Sequence, residues 1–383
     1  MFVGITNTPR DYAWGSHTAI AELLGTTPSG RPEAELWLGT HPGSPSRLAD
    51  GSTLDAVVDG RLPFLLKVLA AASPLSLQAH PTMDQAAAGF ARENELGIPL
   101  DAPHRNYKDG FHKPELIYAL SDGFRALCGF RSARAISSTI DRMQAALPGD
   151  SALAAFSDRL GSDDDLRATF EWLVGGGDAV PELVSAVVEA AALLEGGNFA
   201  LVSELAAAYP GDPGIVVSLM LNLVTLSRGE VIYLPAGNIH AYVEGLGIEL
   251  MAASDNVLRG GLTPKHVDVP ELLSVLDFTP VPVPYLAPDV VSPGLRIFRP
   301  DVPDFELAVV SLGAQTESSC ELPVAGGSIA LCVAGEVRIE GAAASVALGR
   351  GESVFVSADE SPLRFSGDGT VFVATTGHEI SIR

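Results

Sequence analysis

Along the first 130 residues the hydrophobic positions fall in short runs broken by glycine and proline. ELWLGT, PFLLKVLA, PLSLQAH, PELIYAL and FRALCGF each read as a β-strand. From about residue 131 to 212 the spacing lengthens to the helical period. SARAISSTIDRMQAAL, DDDLRATFEWLV, PELVSAVVEAAALLEG and NFALVSELAAAYP are rich in alanine and leucine. Ser162 followed by three aspartates marks a helix start, with negative charge on the positive end of the dipole and an otherwise solvated acidic face. Short helices are predicted around VVSLMLNLVTL and at PELLSVLDF. Strand texture returns at GEVIYLPAGNIHAYVEGLGIELMA, and the proline-rich stretch 279–294 reads as an extended connector. Beyond it, residues 295–383 are again short strands with glycine turns.

This pattern predicts a mainly β protein with an α-helical insertion. Residues 1–130 and 213–280 would form one discontinuous β-barrel, 131–212 the helical insertion domain, and 281–383 a second barrel. Two segments look like distant copies. In RGEVIYLPAGNIH, Gly229 is followed by Pro235, Gly237 and His240; in RGESVFVSADESP, Gly351 is followed by Ser357, Asp359 and Pro362. The second copy keeps the glycine and the apolar strand but has no histidine, so the C-terminal barrel is expected to be degenerate and without metal ligands.

Polar residues inside apolar runs are the exceptions that carry chemistry. In LSLQAHP, positions two apart share a face, so Ser76, Gln78 and His80 form one polar row. The plain explanation of such a row is a half-exposed edge strand; the other is a site lining. LPAGNIHAY sets His240 just after a tight turn that would aim it back into a barrel. HKPEL, 112–116, adds Glu115. Two imidazoles, a carboxylate and an amide oxygen suit Zn²⁺ with open positions, and two histidines with one carboxylate could equally hold the Fe²⁺ of a non-haem oxygenase.

Composition narrows the partners. The 383 residues are 47% hydrophobic and 19% charged, a folded chain, and the net charge of −23 opposes general affinity for nucleic acid or anionic membrane. An anionic small substrate stays possible where cations cluster. Three separated cysteines, Cys128, Cys320 and Cys332, form no C-x-x-C pattern and are expected as reduced thiols in a cytoplasmic protein. No signal peptide and no membrane span are expected. Only four of the 24 basic residues are lysines: Lys67, Lys108, Lys113 and Lys265. Where arginine is the default cation, a lysine points to a need for its compact, tunable ammonium.

The spacing G-x5-P-x-G-x2-H around His240 resembles the second motif of the cupin superfamily, with Glu244 where many cupins have asparagine. The first cupin motif, H-x-H, is replaced by Q-x-H at 78–80. YAWGS (12–16), ELWLGTHPGSPS (35–46), PFLLKVL (63–69), LSLQAHP (75–81), NYKDGFHKPEL (106–116), LPAGNIHAY (234–242) and ELMAASDNVLRGGLTPKHVDVPELL (249–273) are similar, in order, to the type I mannose-6-phosphate isomerases.

The resemblance implies two cupin-type jelly-roll barrels, and one zinc ion per chain held by Gln78, His80, Glu115 and His240. It also implies aldose–ketose isomerisation of a phosphosugar in a monomeric cytoplasmic enzyme. It places Arg259 at the catalytic arginine and Asp255, His112 and Lys113 at positions of proton handling. Lys67 and Ser76 fall at the phosphate end of the site, and Trp14 and Tyr242 line the cavity. Structural roles compete at several positions: Lys113 paired with a carboxylate, Asp255 capping a turn, His41 within a structural loop. His17, His104, His266 and His378 receive no role. The sequence reads PTMD after QAHP, where many family members carry a lysine, and Gly-Phe before His112 replaces the commoner Asp-Asn. A non-haem iron oxygenase and a non-catalytic sugar-phosphate-binding cupin are the alternatives.

Overall fold

Near-continuous apolar runs require burial on both faces, and the strands comply: all eight residues of Phe64–Ala71 are buried, Lys67 among them. The structure, a computed structural model, describes residues 1–58 and 60–377, so His378 lies outside the described residues. The strands are, in chain order, β1 (Phe2–Ile5), β2 (Glu35–Leu38), β3 (Phe64–Ala71), β4 (Leu77–Ala79), β5 (Glu115–Ala119), β6 (Phe124–Phe130), β7 (Leu221–Leu226), β8 (Val231–Leu234), β9 (His240–Ala252) and β10 (Leu258–Gly261). They continue as β11 (Asp289–Ser292), β12 (Leu295–Phe298), β13 (Glu306–Leu312), β14 (Ser319–Leu322), β15 (Ser328–Glu340), β16 (Ser345–Gly349), β17 (Ser353–Val356) and β18 (Leu363–Thr375).

Among the described residues these form two nine-stranded sheets. The first has the order β10-β4-β9-β3-β2, with β5 pairing β8 and β9, and β6 pairing β7 and β9. The second runs β1-β17-β15-β18-β13-β12-β11, with β14 on β18 and β16 on β15. The fold is mainly β with helices inserted in the first sheet's sequence, as the texture predicts. One strand departs from it. β1 lies in the second sheet, paired antiparallel with β17, although its neighbours in sequence build the first. An apolar strand signals that it will be buried, but not against which sheet.

β9 organises the first sheet. Its leading residues pair with β4 and β6, and from Gly245 onward it pairs with β3 and β5. Gly245 has φ 136°, and a Cβ there would stand 2.4 Å from the Phe124 ring, so only glycine allows the strand to change partners at this point.

Helices Ala133–Ala146, Ser151–Asp158, Leu166–Val174, Val180–Ala192, Gly197–Ala208 and Gly214–Met220 follow β6. Ser151–Asp158 has no counterpart in the sequence reading and is capped by Asp150, which accepts from Ala152 and Leu153 N–H. Ser162 forms a capping box with Asp165 and starts a 3₁₀ turn, Asp163–Asp165, that runs directly into helix Leu166–Val174, and Asp163 accepts the Ala133 N–H at 2.6 Å. That aspartate therefore caps a neighbouring helix instead of only facing water. VVSLMLNLVTL splits into the end of a helix and β7, because a continuous apolar run fits either period. A further helix, Met83–Glu95, interrupts the stretch read as all β. Its signature is Thr82 and Gln85, which form a reciprocal capping box.

The helices share one core with the back of the sheet: Leu77 and Ala79 of β4, Ala241 of β9 and Leu258 of β10 are buried among Ile136, Phe170 and Leu219. Each fully buried leucine contributes about 1.5–3 kcal/mol. This packing fixes which way β4 faces, and hence where Gln78 points. The two proposed copies also share geometry. Gly229 and Gly351 have φ of 91° and 86°, each precedes a four-residue strand (β8, β17), and each is followed by a thirteen-residue strand (β9, β18). No helix among the described residues is long and apolar enough to cross a membrane.

Candidate metal centre and active-site pocket

Register places the polar residues in rows. On the β10–β4–β9 ladder Arg259 stands opposite Gln78, and Gln78 opposite His240. Directly paired residues share a face, so with Leu77 and Ala79 turned into the helical core, Arg259, Gln78 and His240 all face the other way. His80 follows immediately after β4, and Glu115 opens β5. The result is one cluster: a ligand atom from each of His80, Glu115 and His240 lies within 4.8 Å of the other two, and all three residues are buried.

The protons in this cluster are accounted for. His80 Nδ1 lies 2.7 Å from the Asn256 carbonyl and His240 Nδ1 lies 3.0 Å from the Asn238 carbonyl. A carbonyl only accepts, so both Nδ1 atoms carry a proton, and in the neutral ring Nε2 then presents its lone pair. Those lone pairs face Glu115, at 3.4 Å for His80 and 3.3 Å for His240. His80 Nε2 and Glu115 Oε2 have no hydrogen-bond partner. Burial, then the Lys113 charge, pushes the His80 imidazole down to about 4, which keeps it neutral. Burial raises the Glu115 carboxyl, but Lys113 and His80 outweigh it and hold the group well below its ordinary value. Lone pairs of two imidazoles and a carboxylate that converge on one point repel unless a cation stands there. The donor set of two nitrogens and an oxygen fits Zn²⁺. The Gln78 amide nitrogen lies 3.2 Å from His240 Nε2 and donates to that lone pair, so a fourth polar group stands at the same point.

Above the cluster opens a cavity of about 860 Å³ lined by Trp14, Lys67, Ser76, Gln78, Lys113, Glu115, Tyr242, Asp255 and Arg259, with Lys108 and Lys265. Nine of the twelve residues singled out in the sequence therefore line it; His80 and His240 are buried among them. Lys113 Nζ binds Glu115 Oε1 at 2.7 Å. Arg259 forms no ion pair among the described residues, and burial lowers its affinity for a proton.

Lys67 has a different setting from the one the resemblance suggests. Its ammonium lies 2.7 Å from Glu249 and 3.6 Å from Glu35, over the Trp37 ring. Burial works against the ammonium, but Glu249, Glu35 and Glu115 raise it and keep it charged. Glu249 is pushed up by burial against the pull of Lys67, and by Glu115 and Glu35. Glu249 and Glu35 escaped the sequence reading. The available signal was a lone carboxylate inside each of the apolar strands ELWL and GIELMA, since a buried charge needs a partner. Three buried carboxylates against two ammoniums leave the floor of the cavity short of positive charge, which again favours a divalent cation.

His112 is not brought to the cavity. Its Nε2 bonds Asp304, before β13, at 2.8 Å. His41, by contrast, reaches the site: its Nε2 lies 3.3 Å from Asp255 Oδ1. Asn256 is buried and ties the loops together. Its side chain accepts from Lys108 and Asp109 N–H and donates to the Asp109 and Phe111 carbonyls, while its own carbonyl orients His80.

Two sheets with a histidine–glutamate–histidine cluster beneath a cavity lined by both cations and carboxylates define a cupin protein equipped to hold a metal. Comparison with known proteins makes this specific. Residues 2–133 match the family model "Phosphomannose isomerase type I, catalytic domain" and residues 297–376 match "Mannose-6-phosphate isomerase, cupin domain". A mannose-6-phosphate isomerase of Salmonella typhimurium is 39% identical, covering 95% of this chain and 97% of the relative; that of Homo sapiens is 32% identical over 92% of each. Among solved structures, a zinc-bound mannose 6-phosphate isomerase is 36% identical with a TM-score of 0.87, covering 98% of this chain and 100% of the other. Another, bound with zinc and yttrium, has the same identity and coverage and a TM-score of 0.88. The chain belongs to the type I phosphomannose isomerase family.

Proposed function

We propose that the protein interconverts mannose 6-phosphate and fructose 6-phosphate using one zinc ion held by Gln78, His80, Glu115 and His240. The observation that carries this reading is the convergence of unprotonated donor atoms from His80, His240 and Glu115 beside the free guanidinium of Arg259. The ion would supply Lewis-acid stabilisation of negative charge on the sugar oxygens.

Aldose-to-ketose conversion removes the proton on C2 of the open-chain sugar, passes through an enediolate, and places a proton on C1. Arg259 stays cationic throughout and stabilises the oxygen on which charge develops. Asp255 lines the cavity half-exposed. Burial raises its carboxyl, but His41, Lys113 and Lys67 bring it below its ordinary value, so it is ionised and able to accept a proton. Lys113, an ammonium held by Glu115, is placed to donate one.

With Lys67 engaged by two carboxylates and Lys113 by Glu115, the cavity cations without an ion pair among the described residues, and so open to the substrate's phosphate, are Arg259, Lys265 and Lys108; Ser76 offers a hydroxyl in the same cavity. Trp14 and Tyr242 give the sugar ring apolar surface. The test is a coupled assay for fructose 6-phosphate formed from mannose 6-phosphate, with and without chelator. Turnover that is lost on chelation and regained with Zn²⁺ supports the reading. Absence of turnover in the metal-replete protein overturns it, and substrate-coupled oxygen uptake would assign the site to an oxygenase instead.

A further inference from the structure

His41 lies in GTHPGSPS, whose composition reads only as a structural loop, yet every polar atom of its ring is assigned. Nδ1 accepts the Gly43 N–H at 3.1 Å, which leaves the proton on Nε2, and Nε2 lies 3.3 Å from Asp255 Oδ1. The ring is held edge-on to Trp37, centroids 4.9 Å apart, and is 2% exposed, while Asp255 is 49% exposed at the cavity wall. A Cβ on residue 43 would stand 3.2 Å from His41 Nδ1, so the glycine permits the close approach that sets the tautomer. The backbone N–H of Asp255 is separately bound by Asp109 at 2.9 Å. A half-exposed carboxylate is thus fixed at its main chain by one residue and at one oxygen by another.

We propose that His41 is a positioning residue for the reaction: it donates from Nε2 to Asp255 Oδ1 and so fixes the carboxylate's orientation, leaving the second oxygen for the proton or hydroxyl of a sugar in the cavity. The inference rests on the proposed isomerase function. Its energy source is geometric, because an unrestrained aspartate would spread over rotamers of which few meet the substrate. Burial of the imidazole beside Trp37 makes the support rigid. The groups facing the Asp255 carboxylate electrostatically are His41, Lys113, Lys67 and Lys108, and of these only His41 is in contact with it.

The test is a double-mutant cycle on the zinc-loaded enzyme. His41→Leu is expected to lower kcat about tenfold with KM and zinc content little changed, a size within the range of measured pair couplings. His41→Gln, whose amide nitrogen can stand near the Nε2 position, is expected to keep turnover within about threefold of wild type. In the Asp255→Ala background, His41→Leu is expected to cost nothing further. A role in packing alone would cost the same in both backgrounds, and that additivity overturns the inference. If His41→Leu does not fold, ¹⁵N spectra of the wild-type imidazole decide: an Nε2–H tautomer whose resonance moves in Asp255→Asn supports the proposal, and an Nδ1–H tautomer overturns it. An inactive wild-type enzyme would instead sink the isomerase reading, so the two failures are distinguishable.

Discussion

His80 Nε2 stands 3.4 Å from Glu115 Oε1 with no proton to share, because burial keeps the imidazole neutral and its one proton sits on Nδ1, facing the Asn256 carbonyl. Glu115 Oε1 is held by Lys113 Nζ at 2.7 Å, but His80 Nε2 and Glu115 Oε2 are buried without a partner, an electrostatic debt that the fold carries until a cation enters. The same loop that orients His80 also carries Asp255, so one turn, Ser254–Asn256, supports both the proposed metal ligand and the proposed proton acceptor.

Metal removal should therefore be felt in stability as well as in turnover. Dialysis against a chelator is expected to remove one equivalent of zinc, abolish isomerase activity and lower Tm. Readdition should restore both. At free zinc a hundredfold above Kd the stabilisation amounts to about 2.7 kcal/mol. His240→Ala is expected to bind no zinc by elemental analysis and to show no metal-dependent rise in Tm.

The metal-free protein should lose stability as the pH falls from about 6.5 toward 4. His80 is depressed from 6.5 to about 4 in the folded state, so below 6.5 the unfolded chain takes up a proton that the folded one refuses. Stability from this residue is fully present above its unfolded pKa. It is lost on descent to the folded value, a change on the order of 3 kcal/mol. Glu115, also depressed, adds a loss at lower pH with the same sign. Urea titrations of chelated protein across this range check it; His80→Gln should flatten the upper part of the curve.

How much of this was legible depends on whether a neighbour is local or distant. Period two put Ser76, Gln78 and His80 on one face, and the apolar flanks Leu77 and Ala79 told which face was core, so that row could be read directly. The proposed zinc ligand set came from motif resemblance, because nothing in composition brings Glu115 beside His240. Glu249 and Glu35 were visible as charges in buried strands, but their partner became apparent only in the β2–β3–β9 register, where Trp37, Lys67 and Glu249 align. His41 read as structural because its partner lies more than two hundred residues away in a loop. Loops obey no periodicity, and their contacts leave no trace in the pattern.

The Lys67–Glu249 pair gives a third prediction. Both side chains are buried at 2.7 Å separation. Glu249→Leu removes one partner and leaves the ammonium with Glu35 at 3.6 Å alone, which should cost about 3–5 kcal/mol. Adding Lys67→Met removes the stranded charge, and the double variant is expected to recover most of the stability while staying inactive. Urea denaturation of the four proteins in the cycle measures the coupling. A Glu249→Leu enzyme as stable as wild type would show that Lys67 does not depend on the pair.

The fourth prediction separates His112 from its neighbour Lys113. Resemblance gives both a part in proton handling, but only Lys113 lines the cavity; His112 turns to Asp304, with both side chains 16% exposed. That bond fastens the loop preceding Glu115 to the β12–β13 loop of the second sheet. Arg61 over the Phe111 ring braces the same loop. Asp304→Ala and His112→Ala should then each cost about 1–2 kcal/mol, a partly buried charge-assisted bond, and should not add in the double variant. Lys113→Met is expected to lower kcat by about a hundredfold or more at full zinc occupancy, as befits loss of a proton donor at the reacting carbons. His112→Gln, keeping a donor toward Asp304, should retain kcat within a fewfold. If His112→Gln instead loses as much kcat as Lys113→Met while remaining folded and zinc-loaded, the imidazole itself takes part in the chemistry, and the loop must turn it into the cavity when substrate binds.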